Sequence, residues 1–384
     1  MSTRSRTEGT SIARLSPRPA RRRIAVLGAG GFIGSHLVPA LAARAGTSIV
    51  AVDRSFDKLP ASAVADLPQG SRVERVQAGI EDQRLLEEIV AGSDLVISLT
   101  ALCNPALYNT QPLEVIDANY THLIPLVRSC AARRRWLIHF STCEVYGRVA
   151  LDGAGRRVAR MEEETTGLFL GPIHRERWTY AAAKQLLERV IWAHGRHQGL
   201  PFTIVRPFNV IGPRMDFIPG VDGEGIPRVL ASFMHALLTG ADLLLVDGGR
   251  QRRSFVDVTE FVDAVTRILD RREACVGQIL NLGSAVNDVT IRQLALALIA
   301  TFRAANPQAP RPRLRTVTAE SFYGAGYDDS IRRIPDVEKA ERLLSWRATG
   351  TLKRMLPDIV ADYLSRYQGT FATVPTPSRR VASR

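Results

Sequence analysis

A short apolar run at residues 23–28 (RIAVLG) passes directly into glycines, and that junction constrains the fold more than any other stretch of the 384 residues. In Gly28-Ala29-Gly30-Gly31-Phe32-Ile33-Gly34, the glycines at 28, 31 and 34 allow a strand to turn tightly into a helix. They also let backbone approach a pyrophosphate and aim the helix N-terminus at its negative charge. A Gly-rich turn alone is weak evidence. Here Asp53 ends the next apolar run, where a carboxylate binds a ribose 2′-hydroxyl and repels a 2′-phosphate. The combination predicts NAD rather than NADP, cradled by Gly28, Gly31, Phe32, Ile33, Gly34 and Asp53.

Apolar segments at 48–53, 72–78 and 94–100, separated by helical segments that begin with 32–45, give the alternation of a parallel sheet with helices on both faces. A long helix over 112–133, a strand at 136–141, a Gly- and Arg-rich excursion at 147–175, a helix over 176–198 and a strand at 202–206 continue it. From 211 the stretch IGPRMDFIPGVDGEGIP breaks the rhythm. Helices expected at 227–239, 290–303, 337–344 and 352–366 suggest a smaller lobe. The fold class is therefore α/β, a doubly wound Rossmann sheet with a C-terminal substrate lobe. Residues 23–210 form the NAD-binding domain, with part of 241–272 returning to it, and 211–240 with 273–366 form the lobe. The tails 1–22 and 367–384 are expected to be disordered.

The net charge of +13 invites a nucleic-acid reading, but residues 1–23 hold seven Arg against one Glu, and 367–384 hold three Arg and no acid. Little positive charge remains for the folded body, so nucleic-acid binding is not expected. Only four of the 51 basic residues are Lys (58, 184, 339 and 353), a bias that weakens any Arg run as a signal. The N-terminal tail superficially resembles a transit peptide but has no apolar h-region. No apolar stretch approaches the roughly 18 to 20 residues of a membrane-spanning helix, so no membrane partner is expected. Cys103, Cys130, Cys143 and Cys275 show no metal or redox spacing, which fits free thiols in a reducing cytoplasm.

Tyr180 and Lys184 are four apart on a predicted helix, so both project from one face. An ammonium beside a phenol stabilises the phenolate and lowers its pKa toward a useful base. An isolated YxxxK is ordinarily an exposed pair on an amphipathic helix. It reads otherwise downstream of a dinucleotide turn, with Ser141-Thr142 ending a strand between them.

These features together resemble the extended short-chain dehydrogenase/reductase family. STCEVYG (141–147), RWTYAAAKQLLERVIWAHG (177–195), RPFNVIGPRMDFIPG (206–220), DGGRQRRSF (247–255) and FYGAGYDDSIRRIPD (322–336) resemble its UDP-glucuronic acid decarboxylase branch, and within it the UDP-apiose/UDP-xylose synthases. The resemblance spans about residues 23–366. It implies that Tyr180 takes the sugar 4-hydroxyl proton, that Thr142 hydrogen-bonds that oxygen, and that Lys184 holds the nicotinamide ribose. Glu144 matches an acid/base carboxylate, Asn209 and Arg253 match diphosphate contacts, and Arg177, Tyr327 and Arg333 match residues around the sugar and its carboxylate. NAD is then tightly bound and recycled, no metal is needed, and a homodimer is expected by analogy.

Two cysteines refine the expectation. Most decarboxylases of the branch carry Ser where this chain has Cys143, whereas the apiose-forming enzymes resemble it there and in a second Cys within ALCNPALYNT (101–110), which also supplies Tyr108. A buried free Cys is commonly a small hydrophobe. An electropositive setting would instead make Cys143 a thiolate able to assist ring opening, with Cys103 in support. One departure is Gly79, where many relatives place an acid that contacts adenine. His194 and His197 lack a third metal ligand. Glu162, Glu163 and Glu164 read as solvated, and Cys130 and Cys275 as structural. The competing activities are simple UDP-xylose or UDP-4-ketopentose synthesis, 4-epimerisation of UDP-glucuronate, and a non-catalytic NAD sensor.

Overall fold

The computed structural model describes residues 22–371, except 149, 153, 325–327 and 331. Most of the expected tails, 1–21 and 372–384, and the substrate candidate Tyr327 lie outside the described residues. Residues 367–371, assigned above to a disordered tail, instead complete the helix Leu352–Phe371, whose Tyr363 and Tyr367 are buried.

Seven strands form the main sheet. Six are β1 (Arg22–Leu27), β2 (Thr47–Asp53), β3 (Arg72–Gln77), β4 (Leu95–Ser98), β5 (Trp136–Phe140) and β6 (Phe202–Pro207). The seventh, Gln278–Leu282, lies beside β6, and every pairing is parallel in the order seventh-β6-β5-β4-β1-β2-β3. Parallel pairing demands a crossover between neighbours, and helices supply all but that from β2 to β3, which holds only the 3₁₀ turn Ala61–Val64. They are α1 (Phe32–Ala42), α2 (Gln83–Ala91), the one-turn α3 (Pro105–Tyr108), α4 (Pro112–Asn119), α5 (Ile124–Ala132), α6 (Thr179–Gln198), α7 (Val229–Thr239) and α8 (Val258–Asp270).

Strand side chains alternate between two cores. Ile24, Val26, Ile49 and Ile97 pack against α1 and α8, whereas Ala25, Leu27, Val50 and Val96 pack against α2, α5 and α6. Burial on both faces explains the unbroken apolar runs of β1, β2, β4 and β5. A separate core holds the lobe, where Leu230 and Phe233 of α7 meet Leu294 and Leu298 of helix Ile291–Ala305 and Leu356 and Tyr363 of the last long helix.

Three sequence expectations are corrected. The helix expected over 112–133 breaks at Tyr120 (φ −139°), and a short 3₁₀ turn, Thr121–Leu123, precedes α5. Pro125 sits in the first turn of α5, where its missing N–H costs nothing, but a continuous helix would clash there. Residues 278–282, assigned to the lobe, belong to the main sheet, because crossover helix α8 packs on α1 and delivers them beside β6. Glu163, expected in solvent, is 8% exposed and accepts a hydrogen bond from Asn281 N at 2.7 Å. Glu162 is half-buried, and Glu164 stays exposed, paired with Lys339.

Candidate active site

The glycine turn is fixed from β2. Gly28 N and Ala29 N both donate to Val52 O (2.9 and 3.1 Å), and Gly28 adopts φ +83°, which glycine tolerates freely. Gly30 N donates to Asp53 Oδ2 at 2.9 Å and Ser55 N to Asp53 Oδ1 at 3.2 Å, so the acid at the end of β2 also ties the turn together. A Cβ on Gly30 would lie 1.8 Å from Ser55 O, and one on Gly34 2.4 Å from Gly28 O. Gly31 differs, for a Cβ there would meet only Gly28 O at 3.4 Å and would fill the approach to the N-terminus of α1. That open approach fits a dinucleotide diphosphate on backbone N–H groups.

A cleft of about 490 Å³ runs from this turn between sheet and lobe. Phe32 and Ile33 line it near the turn, Cys103, Tyr108, Thr142, Cys143, Glu144, Arg177 and Tyr180 line its middle, and Asn209, Arg253 and Arg333 line the lobe side. The sequence-predicted residues are thus gathered on one cleft, apart from the undescribed Tyr327, from Asp53, which ties the glycine turn without lining the cleft, and from Lys184, which lies fully buried beneath it. At Gly79, Glu81 folds its carboxylate over the position a Cβ would take and pairs with Arg54 at 2.9 Å.

β5 runs out at Phe140 and delivers Ser141 and Thr142 to the cleft floor. Thr142 Oγ1 accepts from Glu144 N at 3.1 Å, capping the 3₁₀ turn Cys143–Tyr146, and its side chain hydrogen-bonds Tyr180. Tyr180 stacks on Tyr108, centroids 5.1 Å apart and planes at 10°. Lys184 follows one turn later on α6, but its ammonium donates to Phe140 O at 3.1 Å. Burial pushes that ammonium down to about 8. Burial also raises the Tyr180 phenol well above its ordinary range, with electrostatic contributions from Cys103 and Glu144 adding to the rise and a smaller downward pull from the Thr142 hydrogen bond. The expected lowering of Tyr180 by Lys184 is thus not seen, because the ammonium is aimed at the Phe140 carbonyl.

Glu144 is the hub of the charged wall. Arg177 grips it with two contacts, Nη1 to Oε2 at 2.6 Å and Nη2 to Oε1 at 3.0 Å, and Arg333 Nη1 reaches Oε1 at 3.1 Å. Burial acts to raise its carboxyl, yet Arg177 and Arg333 outweigh that and hold it below the ordinary range. Asp329, which sequence reading missed, joins the wall through Arg253 Nη2 (2.5 Å), Arg333 Nη2 (2.5 Å) and Arg177 Nη2 (3.5 Å). Against the opposing effect of burial, these arginines hold Asp329 at about 2. Its only signal was an acidic pair within the 322–336 motif. Three guanidiniums face two carboxylates, leaving positive charge for an anionic ligand.

Cys143 is buried at 4% exposure, and burial pushes its thiol up, with Arg333 and Arg253 pulling only partly back. The thiolate expected from an electropositive setting is corrected to a thiol, since desolvation wins. Cys103 is exposed. Asn209, at φ +39°, donates Nδ2 to Ser254 O at 2.9 Å. His194 contacts Gln198 at 2.8 Å, and Cys130 and Cys275 are buried.

A seven-stranded Rossmann sheet, a diphosphate-ready glycine turn and a Thr-Tyr-Lys constellation under a charged wall define an NAD-binding enzyme of the extended short-chain dehydrogenase/reductase class. Residues 24–283 match the NAD dependent epimerase/dehydratase family, and the chain belongs to it. It is 42% identical over 345 residues to a UDP-D-apiose/UDP-D-xylose synthase of Oryza sativa subsp. japonica, covering 87% of each chain. It is 40% identical over 363 residues to UDP-D-apiose/UDP-D-xylose synthase 1 of Arabidopsis thaliana, covering 91% of this chain and 92% of that one. Among solved structures, the PbgP3 protein from Burkholderia pseudomallei superposes with a TM-score of 0.78 at 29% identity, over 92% of this chain and 99% of that one. A UDP-glucuronic acid 4-epimerase from Bacillus cereus shares the fold, with a TM-score of 0.71 at 21% identity over 90% of this chain and 100% of that one.

Proposed function

We propose that this chain oxidises UDP-glucuronic acid at C4, releases C6 as carbon dioxide, and forms UDP-apiose, UDP-xylose or both. The observation that carries the reading is the positive wall of Arg177, Arg253 and Arg333 around Glu144 and Asp329, set beside Thr142 and Tyr180. When bound, NAD would supply reversible hydride acceptance at C4. Thr142 orients the 4-hydroxyl oxygen, and Tyr180 accepts its proton as a phenolate only once the buried Lys184 turns its ammonium from Phe140 O toward the ribose and the phenol, offsetting the rise that burial imposes on Tyr180. A ketone at C4 is β to the carboxylate, so it receives the electron pair of the C5–C6 bond as carbon dioxide leaves. Arg333 and Arg177 position the carboxylate, and Glu144, ionised in place, moves protons at the neighbouring carbons. Cys143, kept a thiol by burial, hands a proton to the sugar as the ring opens before contraction, and Cys103 and Tyr108 complete that side. Asn209 and Arg253 hold the UDP diphosphate, and the resemblance alone assigns Tyr327, which lies outside the described residues, to the sugar.

The proposal includes a cytoplasmic location, which four unpaired cysteines support. A homodimer is proposed through neighbouring helices α4 and α6, which expose Leu113 (75%), Ile116 (37%), Leu186 (47%) and Trp192 (45%). Burying such apolar surface favours association. Incubating the protein with UDP-glucuronic acid and resolving products by NMR tests the activity. A branched sugar with carbon dioxide supports it. Xylose alone leaves a simple decarboxylase, a 4-epimer with its carboxylate intact makes the chain an epimerase, and no turnover favours an NAD sensor.

A further inference from the structure

The segment leaving β2 crosses directly over the glycine turn. Asp53 accepts Gly30 N, and Ser55 O lies 1.8 Å from the place a Gly30 Cβ would occupy, so residues 53–55 rest on the turn itself. Three residues on, Lys58 is half-buried and lines the same cleft as Gly28, Gly31 and Gly34. Its neighbour Leu59 is fully buried and donates its N–H to Phe56 O at 2.9 Å, which fixes the backbone from which Lys58 projects.

The charged groups facing Lys58 come from the lobe: Asp216, Arg228, Arg366 and Asp222. Both acids are already engaged. Asp216 accepts from Arg228 N at 2.9 Å and Nε at 3.1 Å, and Asp222 accepts from Tyr367 Oη at 2.5 Å. The four arginines lining the cleft are paired as well, Arg177 with Glu144, Arg228 with Asp216, Arg253 with Asp329 and Arg333 with both wall carboxylates. Among the described residues, Lys58 is the basic side chain of this cleft that forms no ion pair. It is also one of only four Lys among 51 basic residues, and another of the four is Lys184.

We propose that Lys58 supplies the side-chain counter-charge to the diphosphate of NAD, closing over it from the lobe side while the glycine turn holds it from below. Desolvation lowers the ammonium from the ordinary lysine range, with Asp216 and Asp222 opposing and Arg228 and Arg366 adding to it. A dianionic diphosphate restores the lost stabilisation by a charge-assisted contact. The UDP diphosphate presents the same chemistry in this cleft. Attachment of the 53–59 segment to the glycine turn favours the dinucleotide.

The test uses the full chain stripped of cofactor, with dissociation constants measured by calorimetry for NAD, ADP-ribose, adenosine and UDP. Lys58→Met should weaken NAD and ADP-ribose about tenfold or more while leaving phosphate-free adenosine and UDP within about twofold. Lys58→Arg should restore most of the loss, and raising salt should narrow the gap between parent and Met variant. Unchanged NAD affinity in Lys58→Met, an equal loss on adenosine, or a loss confined to UDP overturns the proposal.

Discussion

Glu144 and Cys143 are sequence neighbours with opposite protonation, and the difference is geometric. Arg177 and Arg333 point their donors at the carboxylate, which two charge-assisted partners keep ionised in a dry wall. The adjacent thiol receives the same field more weakly, and desolvation decides its state. Cys143→Ser should therefore keep carbon dioxide release and shift product from UDP-apiose toward UDP-xylose or the 4-ketopentose, read by NMR beside carbon dioxide yield. An unchanged product ratio would make Cys143 a packing residue. Tyr180→Phe should abolish carbon dioxide release while leaving the NAD dissociation constant within about threefold, since the ring still stacks on Tyr108. Near-parental release would remove Tyr180 as the base. Asp53, the acid tied to Gly30, should make NADP bind at least about tenfold more weakly than NAD, because a 2′-phosphate would face its carboxylate. Equal affinities, measured on stripped protein, would place the ribose elsewhere.

At the scale of elements, the sequence was most legible where a strand is buried on both faces. β1, β2, β4 and β5 read as apolar runs because each serves two cores, and the glycine turn read clearly because strand, turn and helix share one local signal. The lobe was less legible because its short strands, such as Arg252–Ser254 between Asp288–Thr290 and Arg332–Arg333, pair residues far apart in sequence and carry charges on their faces. The main-sheet strand Gln278–Leu282 was missed for a related reason: its place beside β6 is set by α8 rather than by its own pattern. The continuous helix expected over 112–133 overlooked the weight of Pro125. Within the site, the predicted residues were individually visible, but Asp329 was not, because its role comes from three arginines on separate segments. Gly30→Ala tests the turn. Its Cβ would strike Ser55 O, a backbone atom with little freedom to move, so a loss of about 1–3 kcal/mol in thermal or denaturant unfolding is expected. Parental stability would show that the 53–55 segment yields.

At the scale of the whole molecule, Glu163 links the excursion, the sheet and the lobe boundary. Its Oε1 accepts Asn281 N at the seventh strand, Asn281 Oδ1 accepts Tyr146 Oη at 2.9 Å, and Asn281 Nδ2 donates to Met161 O at 2.9 Å. Met161 in turn exchanges backbone bonds with Ile334 and Asp336, just beyond Arg333. Around the carboxyl lie Glu162, Glu164, Asp336, Glu338, Lys339 and Arg342, and its Oε2 has no hydrogen-bond partner among the described residues. Burial raises Glu163 from 4.5 to about 7, with the Asn281 N–H, Lys339 and its own backbone opposing and Glu164 adding to the rise. A raised folded pKa means the native state holds its proton more tightly than the unfolded chain does. The associated stability is therefore complete below about pH 4.5 and is lost as pH climbs through about 7. At about 1.4 kcal/mol per unit over about 2.5 units, the loss is at most about 3.5 kcal/mol. Glu163→Gln keeps the acceptor for Asn281 N and removes the titration, so its stability relative to the parent should improve between pH 5 and pH 8 by up to that amount. Denaturant unfolding of both proteins at the two pH values measures the difference of differences, which cancels any fixed effect of the substitution. Parallel behaviour of parent and variant across that window would mean that Glu163 is ionised throughout, with Lys339 compensating its charge in the folded protein.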